Sequence, residues 1–203
     1  MLKKWLKGYI EINKRDIWII IGFMLVGIVI GAGVYAFADN SVKQLAIENV
    51  KEVFNISKSE MYVKTNVIAN GIKADALLIG ILGILSVTLF GKYIIYGIVI
   101  IKGASLSIYT ILLFNVFGPL WGIVVFALLV LLVNILYIPA LIYLAINFLE
   151  LHFNIFKARL REANMYTPYR IMLAIFISFI IMFSSVVIEQ VASGIVLNIY
   201  NKI

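Results

Sequence analysis

Residues 17–38 read IWIIIGFMLVGIVIGAGVYAFA, 22 consecutive positions without a charge. As α-helix, at about 1.5 Å per residue, the stretch covers about 33 Å, enough for a bilayer hydrocarbon core of about 30 Å. Lys3, Lys4, Lys7, Lys14 and Arg15 precede it, and it closes on Ala36-Phe37-Ala38. That combination imitates a secretory signal, but a signal's apolar region runs to only about 7–15 residues. The length therefore predicts a retained membrane-spanning helix. Within it, Gly27 and Gly31 form a small-x-x-x-small pair flanked by Gly22 and Gly33. Such a pattern lets a second helix approach the backbone closely. A neighbour from the same chain is the expected partner, and the same face leaves room for a homo-oligomer.

The composition extends this reading to the whole chain. Of 203 residues, 64% are hydrophobic and 13% charged, with a mean hydropathy of +1.08. Soluble domains average about 45–50% apolar and about 25% charged residues. A chain this short has too much surface for its volume to hide the excess, so lipid must solvate much of it. The net charge of +7 sits mainly at the ends of apolar runs, where Lys and Arg mark loops and meet anionic headgroups. Nucleic acid would call for a basic face on a soluble domain, so it is not an expected partner, whereas membrane lipid is. There is no Cys, which excludes disulfides and thiolate chemistry.

Outward from residues 17–38, the pattern predicts an all-α polytopic membrane helix bundle of about five transmembrane helices, with short amphipathic helices at the interface. Residues 1–16 form a basic interfacial segment, with Trp5, Leu6 and Tyr9 interleaved among lysines. Residues 39–75 are the one long polar stretch. Ser41-Val42-Lys43-Gln44 and Ser57-Lys58-Ser59-Glu60 fit the capping-box pattern, and each opens an apolar stripe of helical period. The first stripe, Val42, Leu45, Val50, Val53 and Phe54, is the candidate partner contact.

Residues 76–117 are a second apolar block, long enough for two crossings. Phe90-Gly91-Lys92 is the preferred turn, giving spans 76–90 and 93–117, and Lys102-Gly103 is the alternative. Gly118-Pro119 ends the block. Residues 121–149 form a fourth span, bent or broken near Pro139. Residues 150–168 form a basic loop, 169–188 a fifth span and 189–203 a tail. Residues 1–16, the turn at Lys92 and the loop 150–168 fall on one side of a five-span bundle. The positive-inside rule puts them, and the N-terminus, in the cytoplasm, with the C-terminus outside.

No catalytic or cofactor pattern stands out. The single His152 cannot hold a metal alone, and nucleophile-elbow and phosphate-loop motifs are missing from the sequence. The expectation is a protein with no enzyme activity, cofactor or metal. Lys92, Lys102, Asn134 and Pro139 are the polar or helix-bending residues expected within the apolar zone. A lysine at mid-span costs about 2.5–3.5 kcal/mol on insertion scales, so Lys102 needs a partner, a wet cavity or a turn at its own position. Asn115, Asn134 and Asn147 are expected to make hydrogen bonds between helices. Asp75, Glu150 and Glu189 fall at span ends in this scheme.

ILGIL at Ile81–Leu85, IIKGASLSIYT at Ile100–Thr110 and NILYIPALIYL at Asn134–Leu144, with the basic start and glycine-dotted first span, resemble the stage II sporulation protein M family. Leu132-Val133 stand where that family is expected to carry Pro-Gln. The resemblance covers most of the chain. It implies a membrane scaffold for peptidoglycan-degrading partners, as in forespore engulfment, with the 39–75 segment and the tail facing the wall. The alternative is a transporter, channel or permease subunit with a polar path near Lys102 and Asn134.

Overall fold

A computed structural model describes residues 11, 13–56, 61–159 and 167–200. The side chains of 52–71, 154–171, 190, 194–195 and 197–200 lie outside that description. The described secondary structure is all helical: α1 Lys14–Phe37, α2 Asn40–Ile56, α3 Met61–Ser86, α4 Gly91–Val125, a π-helical turn Phe126–Leu131, α5 Leu132–Arg159 and α6 Thr167–Tyr200. Among the described residues three helical runs are long and apolar enough to cross a membrane: Lys14–Phe37, Gly91–Phe153 and Met172–Ser193. Their outward faces are as apolar as their inward ones. Val29 is 72% exposed, Ile135 72% and Met172 71%, an outer surface compatible with lipid and unlike that of a soluble monomer.

The helices α1 and α4 are held together through glycine. A Cβ built on Gly27 would collide with the Ile100 carbonyl, and one on Gly31 would lie 2.7 Å from the Ala104 Cα. From the other side, a Cβ on Gly103 would strike the Met24 carbonyl. The predicted packing motif therefore works within the chain, and Gly103 completes it. Gly22 and Gly33 do not belong to it, since a Cβ at either meets nothing within 4 Å. One turn of helix is 3.6 residues, so Gly22 and Gly33 point away from the face that Gly27 and Gly31 share. Phe23 stacks on Tyr96 at 4.6 Å beside this seam, and Asn115 donates a hydrogen bond to the Tyr35 hydroxyl at 3.1 Å farther along it.

The chain reverses twice around α4. Residues 87–90 form the first turn, and α4 begins at Gly91. His152 closes this turn from α5. Its Nδ1 lies 2.9 Å from the Ser86 carbonyl oxygen, and a Cβ on Gly91 would lie 2.8 Å from the same nitrogen. The buried His152 thus donates to a carbonyl that the end of α3 leaves without a helical partner. Lys92 stands in the first turn of α4, its ammonium 4.7 Å from the centre of the Tyr93 ring.

The second reversal is at Gly118, where φ is +75° and ψ is 173°. This conformation is open almost only to glycine, and Pro119 then restarts the helix with the φ it favours. Beyond it the chain runs back along itself, because a Cβ on Gly122 would lie 2.6 Å from the Phe114 ring. In an uninterrupted helix two such residues would be about 12 Å apart.

Other expected boundaries shift. The expected bend at Pro139 is not a break: α5 continues through it, and the irregularity lies earlier, in the π-helical turn. The second amphipathic stripe is not a separate helix, because α3 runs unbroken from Met61 through Asp75 to Ser86. The expected tail is likewise helix, since α6 continues past Glu189 to Tyr200. α5 reaches Arg159, well into the expected loop. The interfacial helix expected over residues 1–16 and the second capping box at 57–60 fall almost wholly outside the described residues.

The main core lies where α1, α3, α4, α5 and α6 meet, with Ile20, Leu82, Val99, Leu144, Phe148 and Met182 buried in it. A second cluster of Leu113, Phe117, Val125, Leu129, Ala192 and Val196 sits beneath the Gly118 reversal. Between the two lies the polar site described next. Because the α1–α4 seam has no room for side chains, Gly27→Leu or Gly103→Leu should cost at least about 1–3 kcal/mol and lower the thermal midpoint of the detergent-solubilised chain. Gly22→Leu and Gly33→Leu should leave that midpoint unchanged.

Candidate functional site

Four polar side chains from four helices meet well inside the bundle. Asp75 on α3 is eleven residues before Ser86, and Lys102 on α4 is eleven residues after Gly91. Both therefore stand about 16 Å up the two arms of the first hairpin. Tyr137 of α5 and Glu189 of α6 approach from the other side. Asp75 is only 6% exposed. Its Oδ1 accepts a hydrogen bond from the Tyr137 hydroxyl at 3.0 Å, and its Oδ2 has no hydrogen-bond partner among the described residues. The Lys102 ammonium lies 4.8 Å from the centre of the Tyr137 ring, within the reach of a cation–π contact. Asp75 and Glu189 supply the carboxylate charges that act on it.

Tyr137 is thus the hinge of the arrangement. Its phenol holds one carboxylate while its ring face holds the ammonium, so the two opposite charges are tied together through one side chain. With both acids ionised, two carboxylates against one ammonium leave the group one negative charge in surplus. In a low-dielectric interior such a surplus is costly unless a cation or a proton satisfies it.

A cavity of about 230 Å³ opens beside this group. Lys102, Ser105, Tyr109, Asn134, Tyr137 and Glu189 supply its polar lining. Helical spacing explains why. Lys102, Ser105 and Tyr109 recur at i, i+3 and i+7 on one face of α4, and Asn134 and Tyr137 at i and i+3 on α5. Met24 of α1, brought in by the glycine seam, and Leu129 from the π-helical turn add apolar wall. A larger, almost wholly apolar groove of about 570 Å³ shares Leu106, Asn134 and Ile138 with the first and extends to Pro139.

The residues singled out by sequence fare differently. Lys102 and Asn134 line the same cavity, and Pro139 lines the apolar groove. Lys92 is remote, at the hairpin. Asn134 does not link helices: its Nδ2 donates to the Val130 carbonyl at 2.7 Å, within its own helical run beside the π-helical turn. Asn147 donates to the Tyr143 carbonyl on its own helix, at 2.7 Å. Asn115 forms a hydrogen bond between helices, to Tyr35.

Asp75 and Glu189 were read from sequence as span-end acids. Both lie within continuous helices, α3 and α6, that run on past them. Tyr109 and Tyr137 carried no sequence signal of their own. Their spacing from Lys102 and Asn134 was the available clue.

The predicted contact stripe on α2 divides. Val50 packs against the second core cluster, whereas Val42 and Leu45 are 56% and 62% exposed. The α2 face that turns inward is set by Lys43, Ala46, Ile47 and Val50, all partly buried. Lys43 also donates to the Ala36 carbonyl oxygen at 3.0 Å, tying α2 to the end of α1. The side chains of Val53 and Phe54 lie outside the described residues.

No protein-family model, curated protein or solved structure matches the chain. The site therefore stands on its own geometry. Tyr137→Phe should strip Asp75 of its hydrogen bond and destabilise the chain by about 1–3 kcal/mol. Removing the buried acid as well, in Asp75→Asn/Tyr137→Phe, should recover part of that loss. Chemical or thermal unfolding of the two variants against wild type measures both.

Proposed function

We propose that the chain is a five-crossing protein of the bacterial cell membrane that acts as a non-enzymatic scaffold, positioning peptidoglycan-degrading partners on its outer side. The crossings are α1, the apolar part of α3, α4 up to the Gly118 reversal, the stretch from Pro119 to Glu150, and α6. This arrangement gathers the basic start, Lys92 and the basic residues after Glu150 on one side, which the positive-inside rule assigns to the cytoplasm. The segment holding α2 then lies outside, and so does the C-terminus.

The observation that carries the scaffold reading is the divided surface of α2. This helix is too polar for hydrocarbon, with Lys43, Gln44, Glu48, Asn49 and Lys51 in sequence. It rests on the bundle through one face, yet leaves Val42 and Leu45 open on another. Apolar side chains in that position suit a protein partner. The resemblance of Ile81–Leu85, Ile100–Thr110 and Asn134–Leu144 to the sporulation family supplies the class of partner.

A second reading is favoured by a different observation. The Asp75–Tyr137–Lys102–Glu189 group stands inside the bundle, about 16 Å from the first hairpin turn, and ionisable residues among membrane helices mark solute or ion pathways in many membrane proteins. On this reading the chain is a transporter, channel or permease subunit.

The two readings separate experimentally. Affinity capture of the full chain from sporulating cells should recover wall hydrolases with wild type and lose them with Val42→Asp/Leu45→Asp, both proteins being inserted equally. Recovery of no hydrolase with wild type, or equal recovery with both, removes the scaffold reading. Solute or ion flux into reconstituted vesicles that disappears in Lys102→Met would establish the second.

A further inference from the structure

The polarity of the central cavity is decided by where its hydrogen-bond donors point. Tyr137 gives its hydroxyl proton to Asp75. Ser105 gives its own to the Ile101 carbonyl at 2.9 Å, and Asn134 commits an N–H to the Val130 carbonyl. Ser105 and Tyr137 then have oxygen lone pairs to offer, and Asn134 its amide oxygen and a second N–H, while the Lys102 ammonium lies over the Tyr137 ring. Tyr109 adds a hydroxyl and Glu189 a carboxylate.

Charge follows the same pattern. Around the cavity α3 contributes Asp75, α4 contributes Lys102 and Tyr109, α5 contributes Tyr137 and α6 contributes Glu189, while α1 brings only Met24. Asp75 matches Lys102 through the shared Tyr137. The Glu189 carboxylate remains, facing a space lined by the oxygens of Ser105, Tyr109, Asn134 and Tyr137 as well as by Lys102. In membrane proteins, sites built from oxygen acceptors with a spare negative charge take up hard cations.

We propose that this cavity is a binding site for one small monovalent cation, an alkali ion or a small primary ammonium ion. It would sit between Glu189 and the oxygens of Ser105, Tyr109, Asn134 and Tyr137. The charge balance sets the valence, since one positive charge cancels the surplus and two would reverse it. The volume sets the size: about 230 Å³ is roughly seven or eight water volumes, room for an ion with part of its hydration shell or for a methylated ammonium. Binding at equilibrium requires neither transport nor a wall partner, so the site is independent of both functional readings.

The test is thermal unfolding of the purified full chain in detergent, followed by tryptophan fluorescence at fixed pH and ionic strength. Sodium, potassium or methylammonium chloride replaces N-methylglucamine chloride, whose cation is too large to enter. At least one of the three should raise the midpoint saturably by a few degrees. A response to sodium or potassium identifies an alkali-ion site, and a response to methylammonium alone identifies an ammonium site. Glu189→Gln should abolish the response while melting no lower than wild type in N-methylglucamine, because the surplus charge is gone. Ser105→Ala, which removes a single oxygen, should raise the half-saturating concentration roughly three- to tenfold. If Glu189→Gln fails to fold, the wild-type series and Ser105→Ala decide. A wild-type midpoint identical in all four salts, including one that moves only with pH, overturns the proposal. A cation response that survives in folded Glu189→Gln overturns it as well.

Discussion

The close approach of α1 and α4 is the constraint on which the rest of the arrangement depends. Gly27 and Gly31 on one helix and Gly103 on the other remove the side chains that would hold the two backbones apart. Between helices in lipid there is little hydrophobic gain to drive association, so dispersion across a tight seam and a few polar contacts must serve. Here the seam supplies the first, and the Asn115–Tyr35 hydrogen bond the second. It also fixes the rotation of α4. With Gly103 turned to α1, the adjacent Lys102 is rotated about 100° away, toward α3, α5 and α6. The position of the central lysine is thus a consequence of where the glycines are.

That rotation would be costly without the groups that meet the lysine. Asp75, Tyr137 and Glu189 arrive on three different helices, and each of those helices is held by an independent device. The first hairpin is closed by His152 on the Ser86 carbonyl, and it sets Asp75 and Lys102 at one height. The Gly118 reversal sends the chain back so that Asn134 and Tyr137 face α4. Ser178 on α6 reaches the Ala140 carbonyl on α5 at 3.4 Å, one turn from Tyr137, and so places α6 with Glu189 beside the cavity. The same contacts that assemble the bundle assemble its charges.

A buried charged group of this kind fits both a scaffold and a solute-handling protein, for different reasons. In a scaffold it would specify which helices pair, since a misplaced helix would strand a charge in an apolar setting. In a permease it would be the place where cargo exchanges one set of polar partners for another. The cavity beside it distinguishes it from a packing device alone, because side chains that only hold helices together have no need of polar-lined space. The exposed Val42 and Leu45 on α2 belong to a separate surface, anchored to the bundle through Lys43 and Val50.

Much of the architecture was legible in residues 17–38, because length, absence of charge and glycine spacing are local properties and a helix satisfies its own backbone. The same holds for the reversals: Gly118-Pro119 announces itself by the one residue tolerant of positive φ beside the one that cannot continue a helix. The importance of Lys102 could also be read, from the cost of an ammonium in an apolar run. The sequence did not reveal its partners. Asp75 and Glu189 looked like acids at the ends of spans because hydropathy marks where polarity begins, while helices α3 and α6 continue through both residues without any breaker. Nor could it distinguish Gly27 and Gly31 from Gly22 and Gly33, or Val50 from Val42 and Leu45. Each of those distinctions depends on which way a helix faces, and the facing is set by the neighbours against which it packs. Element type and length were decided by the chain itself, whereas the meeting of four polar side chains around one cavity was decided only by tertiary structure, which brings residues 75, 102, 137 and 189 together across more than a hundred positions of sequence.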